Sequence, residues 1–235
     1  MGSLAVVILA AGKGTRMKSD QVKVLHLLAG SPMISCTLDA ARSLQPARLI
    51  VVVGFQAEAV KQAIQSDDVS FAEQREQLGT GHAVLTAAPH LRDFQGTVLI
   101  ISGDVPLLTE KTLKTFAEKH AAEKAVLSVL TVKIDDPRGY GRVFRDSQGM
   151  LLRIVEDRDL RPGEERVDEI NTGIYCADCA FLLDALNRLS ADNAQKEYYL
   201  TDIVARASST KQKVIPVLAD ETQEVMGINN RAELA

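Results

Sequence analysis

Four short apolar runs, at Leu4–Ala10, 49–53, Thr97–Ser102 and 126–132, alternate with segments whose apolar residues recur at helical spacing. The runs are dense in Val, Ile and Leu, as strands buried on both faces are. Helices are predicted between them at 32–43, 56–65, 80–88 and 109–122. Ser31 before Pro32 reads as an N-cap followed by proline at the first helical position, and Thr109 with Glu110 opens the last helix. A β-α-β-α order requires a mostly parallel sheet with right-handed crossovers. The chain is therefore read as α/β, a Rossmann-like, mostly parallel sheet flanked by helices. Ligands in such sheets bind beyond the carboxyl ends of the strands. The Gly-rich loop after the first run and Gly103-Asp104 after the third both fall there, so one crevice is expected to receive both.

From Asp135 the rhythm changes. Asp135-Asp136-Pro137-Arg138-Gly139-Tyr140-Gly141 is turn-rich, and short β pieces follow at 142–145, 151–155 and 170–176. Residues 135–175 are predicted to form a β-rich insertion covering the crevice. Helices at 181–189 and 199–208 and a strand at 214–217 complete the expected elements, with a further helix beginning at 230–235. With no internal repeat or low-complexity linker, 1–235 is expected to be one domain.

The loop itself reads Gly12-Lys13-Gly14-Thr15-Arg16. Glycine-rich turns after a strand present backbone N–H groups to phosphate. This one is neither the dinucleotide pattern, since position 17 is Met rather than a third glycine, nor the Walker pattern. A dehydrogenase is disfavoured on that ground. What sets the loop apart is its cations: residues 1–26 carry Lys13, Arg16, Lys18 and Lys23 against Asp20 alone, within a chain of net charge −4. A basic patch in an acidic protein suits a small polyanion such as a triphosphate better than nucleic acid, which is not expected as a partner. Nor is a membrane: the apolar run 4–11 is too short to span one and lacks the basic flank of a signal peptide. Cys36, Cys176 and Cys179 are too few for a disulfide framework and point to a reducing, cytoplasmic location. Cys176 and Cys179 form a C-x-x-C, but no second ligand pair accompanies it, so both are read as small buried hydrophobes rather than as a redox pair or half a zinc site. His26 and His82 are read as structural.

Leu9-Ala10-Ala11-Gly12-Lys13-Gly14-Thr15-Arg16-Met17 resembles the signature of the sugar-1-phosphate nucleotidylyltransferases, and more narrowly of those that uridylylate N-acetylglucosamine-1-phosphate. The resemblance extends along the chain. Lys23-Val24-Leu25-His26, Gln74, Gln77-Leu78-Gly79-Thr80-Gly81-His82-Ala83, Gly103-Asp104-Val105-Pro106 and Tyr140-Gly141-Arg142 match in the family's order. So do Ile154-Val155-Glu156, Glu169-Ile170-Asn171-Thr172-Gly173, Tyr198-Tyr199-Leu200-Thr201-Asp202 and Gly227-Ile228-Asn229-Asn230-Arg231.

The resemblance implies a transfer of UMP from UTP to N-acetylglucosamine-1-phosphate, with Mg²⁺ as cofactor. It assigns Arg16 and Lys23 to catalysis. It assigns Leu9, Ala10, Ala11, Gly12, Lys13, Gly14, Thr15, Lys23, Gln74, Gly79 and Thr80 to the nucleotide. Gly141, Glu156, Asn171 and Thr201 fall to the sugar, making the β-rich insertion the sugar-binding part, and Asp104 and Asn229 to the metal. Asp104 also has a case of its own, because a carboxylate beyond a buried apolar strand is costly without a partner. Glu156, by contrast, lies in a charged Glu-Asp-Arg-Asp run that reads equally as solvated surface, and Asn171-Thr172-Gly173 reads equally as a strand bend.

Two departures stand out. Val22 occupies the place where the family usually has proline, which predicts a looser loop around Lys23. Bifunctional members continue into a β-helix of hexapeptide repeats that carries acetyl transfer, and no such repeat occurs before Ala235. Uridylyl transfer without acetyl transfer is therefore expected, by a monomer, with a weak dimer as the alternative. Another sugar-1-phosphate or nucleotide as substrate, or a non-catalytic nucleotide-sugar-binding protein, are the competing readings.

Overall fold

Leu4–Ala10 forms β1, the strand around which the sheet is organised. Its Val6, Val7 and Ile8 are fully buried, because parallel strands flank it on both sides and helices cover both faces. The computed structural model describes residues 2–234. A two-residue hairpin, β2 (Leu27–Leu28) and β3 (Ser31–Pro32), leads into α1 (Met33–Ser43). This corrects the expected start of that helix: Ser31 and Pro32 are extended, Pro32 is itself the cap position, and no side chain caps the helix. The pairing of Leu28 with Ser31 draws these residues out of the helix.

The next units are β4 (Arg48–Val53), α2 (Ala57–Ile64), β5 (Val69–Glu73), α3 (Thr80–Thr86), α4 (Ala88–Leu91) and β6 (Thr97–Ser102). β5 has no counterpart among the sequence-based expectations. It is an edge strand with alternating burial, so its polar positions dilute the apolar signal. α5 (Glu110–Ala122) begins as expected, with Thr109 Oγ1 accepting from the Thr112 N–H at 3.2 Å. β7 (Leu127–Lys133), the hairpin of β8 (Arg142–Arg145) with β9 (Leu151–Val155), and β10 (Glu169–Asp178) follow. α6 (Cys179–Leu186), α7 (Asp202–Ser209), β11 (Val214–Leu218) and α8 (Arg231–Leu234) close the chain.

The sheet runs in the order β11-β7-β10-β6-β1-β4-β5, with the β8–β9 hairpin joined through β10. β1, β4, β5 and β6 are parallel, and β10 is antiparallel to both β6 and β7. This corrects the extent of the predicted insertion. The β8–β9 hairpin stands off the main sheet, but 170–176 belongs to a central strand, with Ile170, Ile174, Tyr175 and Cys176 buried on both faces. β10 crosses from the hairpin into the core and shifts register between Asn171 and Ile174. That shift is a bulge: Asn171 Oδ1 accepts from the Gly173 N–H at 3.0 Å and Gly173 takes a φ of 79°.

Cys176 and Cys179 are buried free thiols, and burial raises the pKa of each. Among the described residues no group of three or more His, Cys, Asp or Glu is placed to hold a metal ion.

Candidate active site

The carboxyl ends of β1 and β6 open into a cleft of about 430 Å³. The segment Leu9–Arg16 forms one wall, with Lys23 beside it. Gln74, Gly79 and Thr80 form another, and Asp104 and Asn229 lie at the end of β6. All the residues expected at the nucleotide and the metal thus line a single cavity.

The backbone N–H groups of Gly12, Lys13, Gly14, Thr15 and Arg16 find no acceptor among the described residues, although the Met17 and Lys18 N–H groups are bonded within the turn. The open run of donors is exposed or half-buried and faces the cleft. Gly14 permits this shape. Its φ is 66°, and a Cβ there would come within 2.5 Å of Lys23 Cβ, so the loop packs directly on the lysine stem. Lys23 is further fixed from below. Val22 is fully buried and donates its N–H to Gln56 Oε1 at 2.8 Å, while Gln56 Nε2 donates to the Asp20 carbonyl at 2.8 Å. The looser loop predicted from Val22 is therefore not what forms. A proline at this position could not make that bond, and valine adds an anchor instead.

Lys23 Nζ forms an ion pair with Asp104 and donates to Asn229 Oδ1 at 3.1 Å. Arg16 Nη2 donates to the same oxygen at 2.9 Å. Asn229 reaches this position because the Ile228 N–H donates to the Asp104 carbonyl at 2.9 Å. Its own Nδ2 donates to the Gly227 carbonyl at 3.0 Å, which leaves Oδ1 turned toward the cations. A carboxylate and an amide oxygen therefore converge on one positive charge. Lys13 lies over the Phe55 ring, 5.3 Å from its centroid.

The four residues expected at the sugar form a second, contiguous group outside the cleft lining. Thr201, buried, donates to Glu156 Oε1 at 3.0 Å. A Cβ on Gly141 would stand 3.5 Å from Glu156 Oε2, and the Gly141 carbonyl accepts from the Asn171 N–H at 2.9 Å. Glu156 is half-buried rather than solvated surface. Burial raises its pKa, Thr201 offsets part of the rise, and the charges of Asp202, Asp159 and Glu197 add to it. Arg142, wholly buried, holds the two flanks of this group together by donating to the Tyr140 carbonyl and, at 3.1 Å, to Asp157. Two residues that line the cleft connect the groups: Glu197 adds to the Glu156 field, and Ser102 Oγ lies 3.7 Å from where a Gly173 Cβ would be.

Sequence reasoning missed Ser102, Gln77 and Glu197 as lining residues. It also missed Tyr140, whose pKa burial raises and whose hydroxyl feels the charges of Glu233, Arg16 and Asp104. Gln77 and Tyr140 lay in recognised motifs without a role attached. Ser102 could have been found as the last residue of β6 before Gly103.

A parallel sheet whose carboxyl edge carries open backbone donors, three cations and an acidic residue defines a phosphate-handling α/β protein. The chain belongs to the MobA-like NTP transferase domain family, whose model matches residues 6–207. It is similar to the bifunctional protein GlmU of Geobacter metallireducens, at 50% identity over 236 residues covering 100% of this chain and 50% of the relative. The bifunctional protein GlmU of Pelobacter propionicus is similar at 51% identity over 236 residues, with 100% and 51% covered. The chain thus spans about half the length of the curated relatives it matches. Its fold is also that of a Bacillus anthracis structure assigned as a glucose-1-phosphate thymidylyltransferase in complex with a sucrose, with a TM-score of 0.75 at 18% identity, over 93% of this chain and 87% of that one.

Proposed function

We propose that this chain transfers UMP from UTP to N-acetylglucosamine-1-phosphate, releasing pyrophosphate. The observation that carries the reading is the convergence of the open loop 12–16, Arg16, Lys23, Asp104 and Asn229 on one cleft, with the Glu156–Thr201 group beside it. The motifs resembling the uridylyltransferases, and the match of this whole chain to about half the length of proteins named GlmU, support it.

The nucleophile is a phosphate oxygen of the sugar phosphate. It is largely ionised at neutral pH, since a phosphate monoester has a second pKa of about 6, so no protein base is required. That oxygen bonds to the α-phosphorus of UTP as the bond from the α-phosphorus to the bridging oxygen of the β-phosphate breaks. Lys23 holds the α-phosphate and the incoming phosphate. Arg16 and the loop N–H groups hold the β- and γ-phosphates and receive the charge of the departing pyrophosphate, with Lys13 assisting. Gln74 and the backbone at Gly79 and Thr80 face the uracil. Thr80 acts there through its backbone, while its hydroxyl accepts from the Leu200 N–H at 3.0 Å. Glu156 and Asn171 take sugar hydroxyls, with Gly141 and Thr201 shaping that side.

Asp104 and Asn229 would hold Mg²⁺. The residues fit: two oxygens of the kind magnesium prefers already converge on the Lys23 ammonium, and magnesium commonly takes few protein ligands. When bound, it neutralises phosphate charge. The three free thiols suit a cytoplasmic setting.

Pyrophosphate release measured across a panel of nucleoside triphosphates and sugar-1-phosphates, with and without Mg²⁺, tests the reading. Metal-dependent release with UTP and N-acetylglucosamine-1-phosphate is expected. A preference for GTP or CTP rejects the substrates, and tight UTP binding without turnover rejects the enzyme in favour of a nucleotide-binding protein.

A further inference from the structure

Gln74 is buried, yet its side chain lines the cleft. Its amide nitrogen stands 3.0 Å from the Gly79 carbonyl and 3.0 Å from His82 Nδ1. A carbonyl can only accept, so the group facing Gly79 is the NH₂ of the amide. The same NH₂ meets His82, which makes Nδ1 an acceptor and places the imidazole proton on Nε2. Both amide hydrogens are then used. The Gln74 side-chain oxygen receives no hydrogen bond from the described residues and is the end left for a ligand. The backbone is fixed as well: the Gln74 N–H donates to the Val53 carbonyl at 2.8 Å, and Gln77 Nε2 donates to the Gln74 carbonyl at 3.1 Å.

His82 is held in turn. Its ring lies 6.4 Å from that of Tyr198, and together with Leu78, Leu85 and Leu189 it lines a hollow of about 380 Å³. The wall beneath it is zipped to the 198–200 segment, with the Tyr198 N–H donating to Leu78 at 2.8 Å and the Gly81 N–H to Tyr198 at 2.7 Å.

We propose that His82 is a positioning residue for base selection: by accepting from the Gln74 amide, it turns only a carbonyl oxygen toward the pyrimidine edge. Uracil offers an N–H at ring position 3, which that oxygen accepts. Cytosine offers a lone pair there, which it repels. The discrimination comes from a side chain that need not touch the base. It rests on the uridylyl reading above, and it gives His82 a function where the sequence suggested only packing.

Calorimetric titration of the wild type and of His82→Ala, His82→Phe and His82→Asn with UTP and with CTP tests it. The Phe variant keeps a ring against Tyr198 without an acceptor, and the Asn variant returns an oxygen near the Nδ1 position. The preference for UTP over CTP is expected to fall about fivefold in the Ala and Phe variants, the factor one ordinary hydrogen bond supplies, and to recover in Asn. Equal weakening of both nucleotides would mean that His82 only supports the wall and would overturn the inference. So would an Asn variant no better than Phe, or an unchanged UTP preference in Ala. A wild-type protein that itself favours CTP or GTP overturns the substrate reading, and this inference with it.

Discussion

Lys23, on the loop after β1, forms an ion pair with Asp104 at the end of β6, and the same ammonium donates to Asn229 at 3.1 Å. The lysine proposed to neutralise phosphate thus contacts directly the residues proposed to hold the metal. Lys23 and a divalent cation compete for the same oxygens. Lys23→Met is therefore expected to tighten the binding of Mn²⁺, used as a magnetic probe for Mg²⁺, while lowering kcat by about a hundredfold or more, the scale of losing one electrostatic stabiliser. Weaker Mn²⁺ binding in this variant, measured by electron paramagnetic resonance, would contradict the competition.

Asp104→Asn removes the charge from the other side of the pair. Metal affinity and kcat are both expected to drop, kcat by about a hundredfold or more, with the fold retained because the Ile228 N–H bonds the Asp104 backbone rather than its side chain. Near-normal turnover at ordinary Mg²⁺ concentrations would remove Asp104 from the metal site.

Glu156 carries a burial cost. Its folded-state pKa is raised, so the ionised form is disfavoured by folding: the stability it contributes is present below the ordinary Glu pKa and is lost as pH rises through the raised value. Glu156→Gln keeps an acceptor for Thr201 and removes the charge. It is expected to raise Tm at neutral pH, with the gain vanishing under acidic conditions. At the same time it raises the KM for the sugar phosphate and leaves UTP affinity unchanged. Equal effects on both substrates would show that Glu156 supports the cleft only in general.

Gly14→Ala tests the loop. The φ of 66° and the 2.5 Å approach to Lys23 Cβ leave no room for a methyl group, so the loop or the lysine must move. A displacement of about 1 Å at a phosphate-binding group costs up to about a hundredfold in rate. The expected result is a lower kcat with Tm only slightly reduced, because the loop is exposed. An unchanged kcat would mean that the contact between the loop and Lys23 has no catalytic consequence.

Much of this was legible in the sequence wherever a local pattern has a local cause. β1, β6, β8 and β9 occupy the predicted residues, because uniform or alternating apolar runs leave no competing reading. The convergence of the Gly-rich loop and Asp104 followed from strand direction alone. β5 was hidden by its polar edge, and β10 was assigned to the insertion because only pairing with β6 and β7, far apart in the chain, makes it central. Spacing could not have shown the pairing of Lys23 with Asp104 and Asn229, or the bond from His82 to Gln74. The first joins segments far apart in the chain, and the second depends on how the turn before α3 faces its first residues.

The bond from the Ile228 N–H to the Asp104 carbonyl also has a consequence in time. Loop 12–16 leaves the ribosome well before Asn229, since Arg16 and Asn229 are 213 residues apart. The sheet cannot be completed until β10 has threaded between β6 and β7, and Asn229 cannot reach Asp104 until residue 229 has itself emerged. A nascent chain therefore holds loop 12–16 long before it holds the complete cleft.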